Sequence, residues 1–118
     1  MKDYLVIDRD ESVAVSIADL LISFGYTTEY MVAEQFSAPQ EKFQTIIVEM
    51  PAMSNPALKR FLQHARKKAG ATIVAIASAK DYLRFSGEFR FDNVMIKPFT
   101  ATELLRNSNA TQYSKSAA

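Results

Sequence analysis

The chain contains no cysteine and a single histidine, His64. Disulfides, thiolate metal sites and cysteine nucleophiles are excluded, and one imidazole leaves little for a histidine metal site or a Ser-His triad. No apolar run approaches the roughly 20 residues that span a bilayer. The opening Met1-Lys2-Asp3-Tyr4 leads directly into a strand-like stretch, unlike a signal peptide. Neither sign of charge dominates: 14 Lys and Arg face 13 Asp and Glu, a formal net charge of +1. No global field therefore draws in nucleic acid, membrane or acidic substrate. A cytoplasmic protein is the expectation.

What the chain does have is enough apolar material for one core. Its 118 residues are 48% hydrophobic, which suits one domain and is too little for two. Tyr4-Leu5-Val6-Ile7 is a continuous apolar run that stops at Asp8-Arg9-Asp10, as strands buried on both faces do. From Ser12 to Phe24 the period changes. Val13, Ile17, Leu20, Leu21 and Phe24 recur at helical spacing, with Asp10 placed to cap the start and Gly25 the end. Thr27–Val32 reads as a second strand, and Pro39 limits any helix begun at Glu34 to a short one. Thr45–Val48 is a third strand ending on Glu49, and Asn55–Ala69 a helix closed by Gly70. Thr72–Ala77 is a fourth strand that runs into Ser78. A short helix is predicted over Asp81–Ser86, a fifth strand over Val94–Ile96, and a last helix from Thr100 to about Asn107. Residues 107–118 form a polar, small-residue tail or linker.

Strands alternating with helices by short connections imply βα units, a parallel sheet and, with right-handed crossovers, a doubly wound α/β fold. In such sheets the ligand crevice lies at the carboxyl ends of the strands. Asp8, Glu49, Ser78 and Lys97 each stand where a strand stops. One acid at a strand end is explained by capping. Four converging polar positions in this order are far more specific.

These positions carry a family resemblance. V-I-D-R-D-E-S at 6–12, G-Y at 25–26, F-Q-T-I-I-V-E at 43–49, I-A-S-A-K-D at 76–81 and V-M-I-K-P-F-T-A-T-E-L-L at 94–105 resemble the receiver domain of bacterial two-component response regulators. The resemblance covers residues 2–106, the expected domain. It implies a three-layer, flavodoxin-like (CheY-like) fold with five parallel strands in the order 2-1-3-4-5. In that family an acidic pair after the first strand holds Mg²⁺, and an aspartate after the third accepts a phosphoryl group. A hydroxyl after the fourth strand and a lysine after the fifth contact the phosphate. Carried over, Asp8 matches the first acid, Arg9 the second, Glu49 the acceptor, Ser78 the hydroxyl and Lys97 the lysine. The Lys97-Pro98 bond is expected to be cis.

Two positions depart from the family. The acceptor is Glu49, and no aspartate lies between Asp19 and Asp81 to replace it. Aligning on Met50-Pro51 instead would place the acceptor on Ile47, so both registers remove the aspartate. Glu49 is preferred because it leaves Ile46-Ile47-Val48 to finish the buried strand. The second acid is Arg9. Asp8 and Glu49 face Arg9 and Lys97, a net charge of zero, where the family has a net −2 that suits a divalent cation. No metal or other cofactor is expected. Any weakly bound Mg²⁺ would have to use Asp8 and Glu49, with Asp10 better employed as a helix cap. An inward Arg9 could take the metal's place and pair with a carboxylate.

Each position also has a plainer reading. Glu49 could imitate a phosphorylated aspartate, its carboxylate carried outward by about 1.5 Å but with one charge where phosphate has nearly two. It could equally be an acid that merely pairs with Lys97 or Arg9. Ser78 reads as a strand-end hydroxyl bonded locally. Lys59, Arg60, Arg66, Lys67 and Lys68 read as a solvated helix face favoured by the helix dipole. Position 94, three before the lysine and aromatic in the family, is valine. The segment between Ser78 and Lys97 is short for the family, so its fourth helix is altered. Tyr82, Phe85, Phe89, Phe91 and Val94 supply both core and a candidate protein interface.

The resulting expectation is a non-enzymatic signalling domain in a two-component or related bacterial pathway. It would act by protein contact without phosphorylation, on a histidine kinase, an output domain or a second copy in a homodimer. Nucleic acid would be reached only through a separate output domain. Two alternatives stay open: a Mg²⁺-dependent phosphoacceptor using a non-standard residue such as Ser54 to regulate, for example, a DNA-binding output domain, and a small-molecule module in the same crevice.

Overall fold

The computed structural model describes residues 1–108. Five strands, β1 (Lys2–Asp8), β2 (Thr28–Val32), β3 (Phe43–Glu49), β4 (Thr72–Ala77) and β5 (Asn93–Ile96), form one parallel sheet in the order β2-β1-β3-β4-β5. Four helices connect or follow them: α1 (Glu11–Ser23), α2 (Pro56–Ala69), α3 (Ala79–Phe85) and α4 (Ala101–Ser108). This is the doubly wound flavodoxin-like architecture anticipated from the sequence.

The apolar runs of the strands follow from burial on both faces. Leu5, Ile7, Ile46, Val48 and Ile73 point to one side, where Leu58 and Leu62 of α2 cover them. Tyr4, Val6, Ile47, Val74 and Ile76 point to the other, against Ile17 and Leu21 of α1 and Leu104 of α4. The sheet is therefore the middle layer of three.

Local chemistry sets the helix ends. Asp10 Oδ1 accepts from the Ser12 N–H at 2.9 Å and starts α1. Asn55 Oδ1 accepts from the N–H groups of Ala57 and Leu58 at 2.9 and 3.3 Å, ahead of Pro56 in the first turn of α2. Gly70 ends α2 at φ +67°, a left-handed conformation that side chains with a Cβ rarely adopt. At α4, the Glu103 N–H donates to Thr100 Oγ1 at 3.1 Å, an N-cap bond, and the Thr100 hydroxyl donates in turn to the Glu103 carboxylate at 3.3 Å.

Two elements differ from expectation. No α-helix follows β2; a single 3-10 turn, Ala33–Gln35, is all that forms there. A helix needs several residues to repay its nucleation, and Pro39 cuts this one off. The helix predicted over 81–86 instead runs Ala79–Phe85, because the Ser78 hydroxyl caps it from the strand end. Helix α4 continues through Ser108, which is buried, its Oγ hydrogen-bonded to the Tyr4 hydroxyl at 3.2 Å. The remainder of the tail anticipated from residue 107 lies outside the described residues. Among the described residues no helix is long and apolar enough to cross a membrane.

Candidate functional site

The parallel register brings the carboxyl ends of the central strands level. Asp8 pairs with Val32, Glu49 with Ile76, and Ala77 with Ile96. The Lys97 N–H donates to the Ala77 carbonyl at 2.8 Å, which holds the lysine at the exit of β5. An open cleft of about 600 Å³ results, lined by Asp8, Arg9, Asp10, Glu11, Val13, Glu34, Glu49 and Lys97.

Glu49 is buried at the floor of this cleft, and both of its carboxylate oxygens are taken by one residue. Arg9 Nε donates to Oε1 at 2.9 Å and Arg9 Nη2 to Oε2 at 3.1 Å, the bidentate geometry that suits guanidinium and carboxylate. The Arg9 backbone N–H donates to Oε1 as well, at 3.0 Å. These bonds to Glu49 raise the Arg9 guanidinium further above its usual value. Arg9 is half-exposed, so the pair spans the cleft from floor to rim.

Asp8 is 2% exposed. Its Oδ1 accepts from the Asp10 N–H at 2.8 Å. Burial raises the Asp8 carboxyl above its ordinary value; that backbone bond and Lys97 oppose the shift, while the Glu49 charge adds to it. Asp10 is taken up by its helix cap, and the bonds it accepts from Ser12 hold its carboxyl below the usual range. Lys97 is exposed on the rim and, among the described residues, forms no ion pair. The residues do not fit a divalent metal. Arg9 puts a cation beside Asp8, both Glu49 oxygens are engaged, and Asp8, whose Oδ1 already accepts from the Asp10 N–H, is the one other buried carboxylate in the cleft lining.

Four of the residues singled out by sequence, Asp8, Arg9, Glu49 and Lys97, thus meet in one cleft, with Asp10 at its edge. Ser78 does not line it; its hydroxyl accepts from the Asp81 N–H at 3.0 Å and starts α3. Ser54 is exposed at the end of the 3-10 turn Met50–Ser54 and is also outside the cleft lining. Glu34 was not singled out, and only the fold could place it there: the 3-10 turn after β2 swings it over the cleft. Lys97-Pro98 is cis.

The aromatic segment divides. Phe89, expected among the candidate interface residues, is instead buried in the core, where Arg66 lies over its ring at 4.8 Å. Phe85, Phe91 and Val94 are half-buried against Met50, Ala75 and Ala77. Tyr82 is exposed, and two residues not singled out join it on the surface: Leu83 at 83% and Ile96 at 39% exposure. An isolated Leu83 carries no periodic signal in so short a helix.

Comparison with known proteins gives a consistent picture of the fold. A response regulator receiver domain (CheY-like) from Methanospirillum hungatei superposes with a TM-score of 0.72 and 19% identity, over 99% of this chain and 98% of that one. A response regulator from Thermotoga maritima, solved in complex with Mg²⁺ and BeF, gives a TM-score of 0.65 at 17% identity, covering 98% of each chain. A response regulator from Burkholderia pseudomallei, solved with a phosphorylated aspartic acid, a calcium ion and citrate, gives 0.66 at 21% identity, over 100% of this chain and 74% of that one. The chain has the receiver fold. No family model matches the sequence, and no curated protein does.

Proposed function

We propose that this chain is a receiver-like signalling domain that acts by protein contact and without phosphorylation. One observation carries the reading: Glu49, at the position where the resemblance puts a phosphoacceptor, has both oxygens held by Arg9. Phosphoryl transfer to such a site needs a free carboxylate and a metal beside it. Here the carboxylate is occupied and the metal's second acid is replaced by the very cation that occupies it. The Arg9–Glu49 pair then stands as a built-in substitute for the charged contacts that a phosphoryl group and its metal would make. The domain itself catalyses nothing in this reading.

The contact surface we favour is the exposed face of α3 and the end of β5. Tyr82, Leu83 and Ile96 stand out of the surface there, and α3 buries no residue of its own. A histidine kinase, an output domain or a second copy of the chain would each fit this role.

The test is incubation with Mg²⁺ and beryllofluoride or acetyl phosphate, read by amide NMR shifts and intact mass. Unchanged mass, and no Mg²⁺-dependent shifts at Asp8, Glu49 and Lys97, are the expected result. A phosphoryl mass gain or Mg²⁺-dependent shifts there would sink the reading in favour of a working phosphoacceptor.

A further inference from the structure

Helix α2 carries five cations and no acid, and they fall into two groups. On the flank facing residues 88–92 the cations are neutralised: Lys59 pairs with Glu88 at 3.2 Å and Arg66 with Asp92 at 3.2 Å. Away from that flank Arg60, Lys67 and Lys68 are exposed and, among the described residues, have no acidic partner. The helix dipole accounts for Lys67 and Lys68, which lie in the last turn. It does not account for Arg60, nearer the positive end, nor for Lys42, which lies in the loop before β3.

Between α2 and that loop lies a cleft of about 170 Å³. Its floor is apolar, formed by Phe43, Ile46, Phe61 and Ala65, and Lys42, His64 and Lys68 stand around its mouth. Glu41, also at the mouth, is engaged by Lys2 at 3.2 Å. The cleft exists because no helix forms between β2 and β3, so the connecting loop passes beside α2 without filling the space.

We propose that this cleft and its cationic rim bind an acidic peptide segment of a partner protein, with one apolar side chain seated on the Phe43–Phe61 floor and carboxylates meeting Lys42, Lys68 and Arg60. Charge complementarity selects an anion, and the apolar floor selects a peptide over a nucleic acid. From Arg60 through His64 to Lys68, at successive i+4 positions, the stripe spans roughly 12 Å, and with Lys42 it offers three lysine and arginine cations. A nucleic-acid surface that neutralises about six to ten phosphates is larger than this, and with Phe43 buried and Phe61 half-buried the floor presents no open ring face on which a base could stack. The surface is remote from the Arg9–Glu49 cleft and independent of how that cleft is read.

The test uses the full chain and a synthetic peptide of about a dozen residues, Asp and Glu flanking one central Leu, with no Mg²⁺ present. Amide shifts should concentrate in residues 39–43 and 60–69. Lys42→Glu combined with Lys68→Glu should weaken binding by about tenfold or more, and replacing the peptide's Leu by Ala should weaken it about fivefold. Both lysines are exposed, so circular dichroism should be unchanged; Lys42→Gln with Lys68→Gln, which removes charge without reversing it, should show a smaller loss. Absence of shifts in these segments overturns the proposal. So does binding that ignores the Leu, which would mean charge attraction alone, or tighter binding there by a single-stranded oligonucleotide of similar charge.

Discussion

Arg9 Nε sits 2.9 Å from Glu49 Oε1 while Nη2 sits 3.1 Å from Oε2. Two residues forty positions apart in sequence are thus joined by a fork of charged hydrogen bonds at the ends of adjacent strands. Such a pair, half sunk in the protein, is worth more than a surface salt bridge but is not free of solvent screening. Arg9→Ala should destabilise the domain by about 1–3 kcal/mol, since it leaves a buried carboxylate with only the backbone N–H. A double-mutant cycle with Glu49→Gln, followed by urea unfolding, should return a coupling of similar size. Coupling near zero would mean that the fork is not populated in solution.

Aspartates at positions 9 and 49 should build the acidic cluster that the receiver resemblance implies there. Arg9→Asp with Glu49→Asp leaves Asp8 and two new acids facing Lys97, an acidic cluster suited to Mg²⁺. Titration with Mg²⁺ and beryllofluoride should shift the amides of residues 8–10, 49 and 97 in the double variant and leave the parent unmoved. Equal behaviour of the two proteins would show that the fold, and not these residues, sets the chemistry.

Asp8 should make stability fall as pH rises through the mildly acidic range. Its folded carboxyl lies above the ordinary value because burial disfavours the charge. Between the unfolded and folded values the folded state binds more protons, so ionisation costs stability and the full cost is present above the folded value. Asp8→Asn keeps an acceptor for the Asp10 N–H and removes that charge. The variant should therefore gain stability over the parent as pH increases from about 4 to 7, with the gap smallest at the acid end, as chemical denaturation at each pH would show.

The two ends of the aromatic segment should separate under mutation. Phe89→Ala should cost about 3 kcal/mol, because its ring is buried between Phe91 and the Arg66 guanidinium. Leu83→Lys should change stability by less than about 0.5 kcal/mol, since Leu83 is 83% exposed. If α3 is a contact surface, the same lysine should weaken association with a partner or second copy, measurable by sedimentation or by titration calorimetry. Unchanged association would place the interface elsewhere.

Much of the fold was legible from chemistry that acts over a few residues. Apolar strand runs, Asp10, Asn55 and Thr100 as caps, and Gly70 after α2 are all local signals, and the five strands and four α-helices lie within a few residues of their expected bounds. The convergence of Asp8, Glu49 and Lys97 was legible as well, because parallel strands put their carboxyl ends side by side. The direction of the Arg9 side chain was not, since sequence allows it to face solvent or cleft. Nor was the role of Ser78, whose hydroxyl could turn toward a ligand or toward its own helix. Phe89 and Leu83 stand six residues apart in a segment without steady periodicity, so no pattern told the buried one from the exposed one. Glu34 entered the cleft through a turn whose geometry depends on what fails to form after β2.

A phosphoryl group can be added and hydrolysed, so a domain that carries one keeps time: it records a recent event and then forgets. A guanidinium encoded at position 9 has no such lifetime. A domain held by the Arg9–Glu49 fork would be set at synthesis, and its occupancy would follow the concentration of its partner by mass action. Its clock would be the making and breaking of protein chains, and its sensitivity would be tuned by its own abundance and affinity.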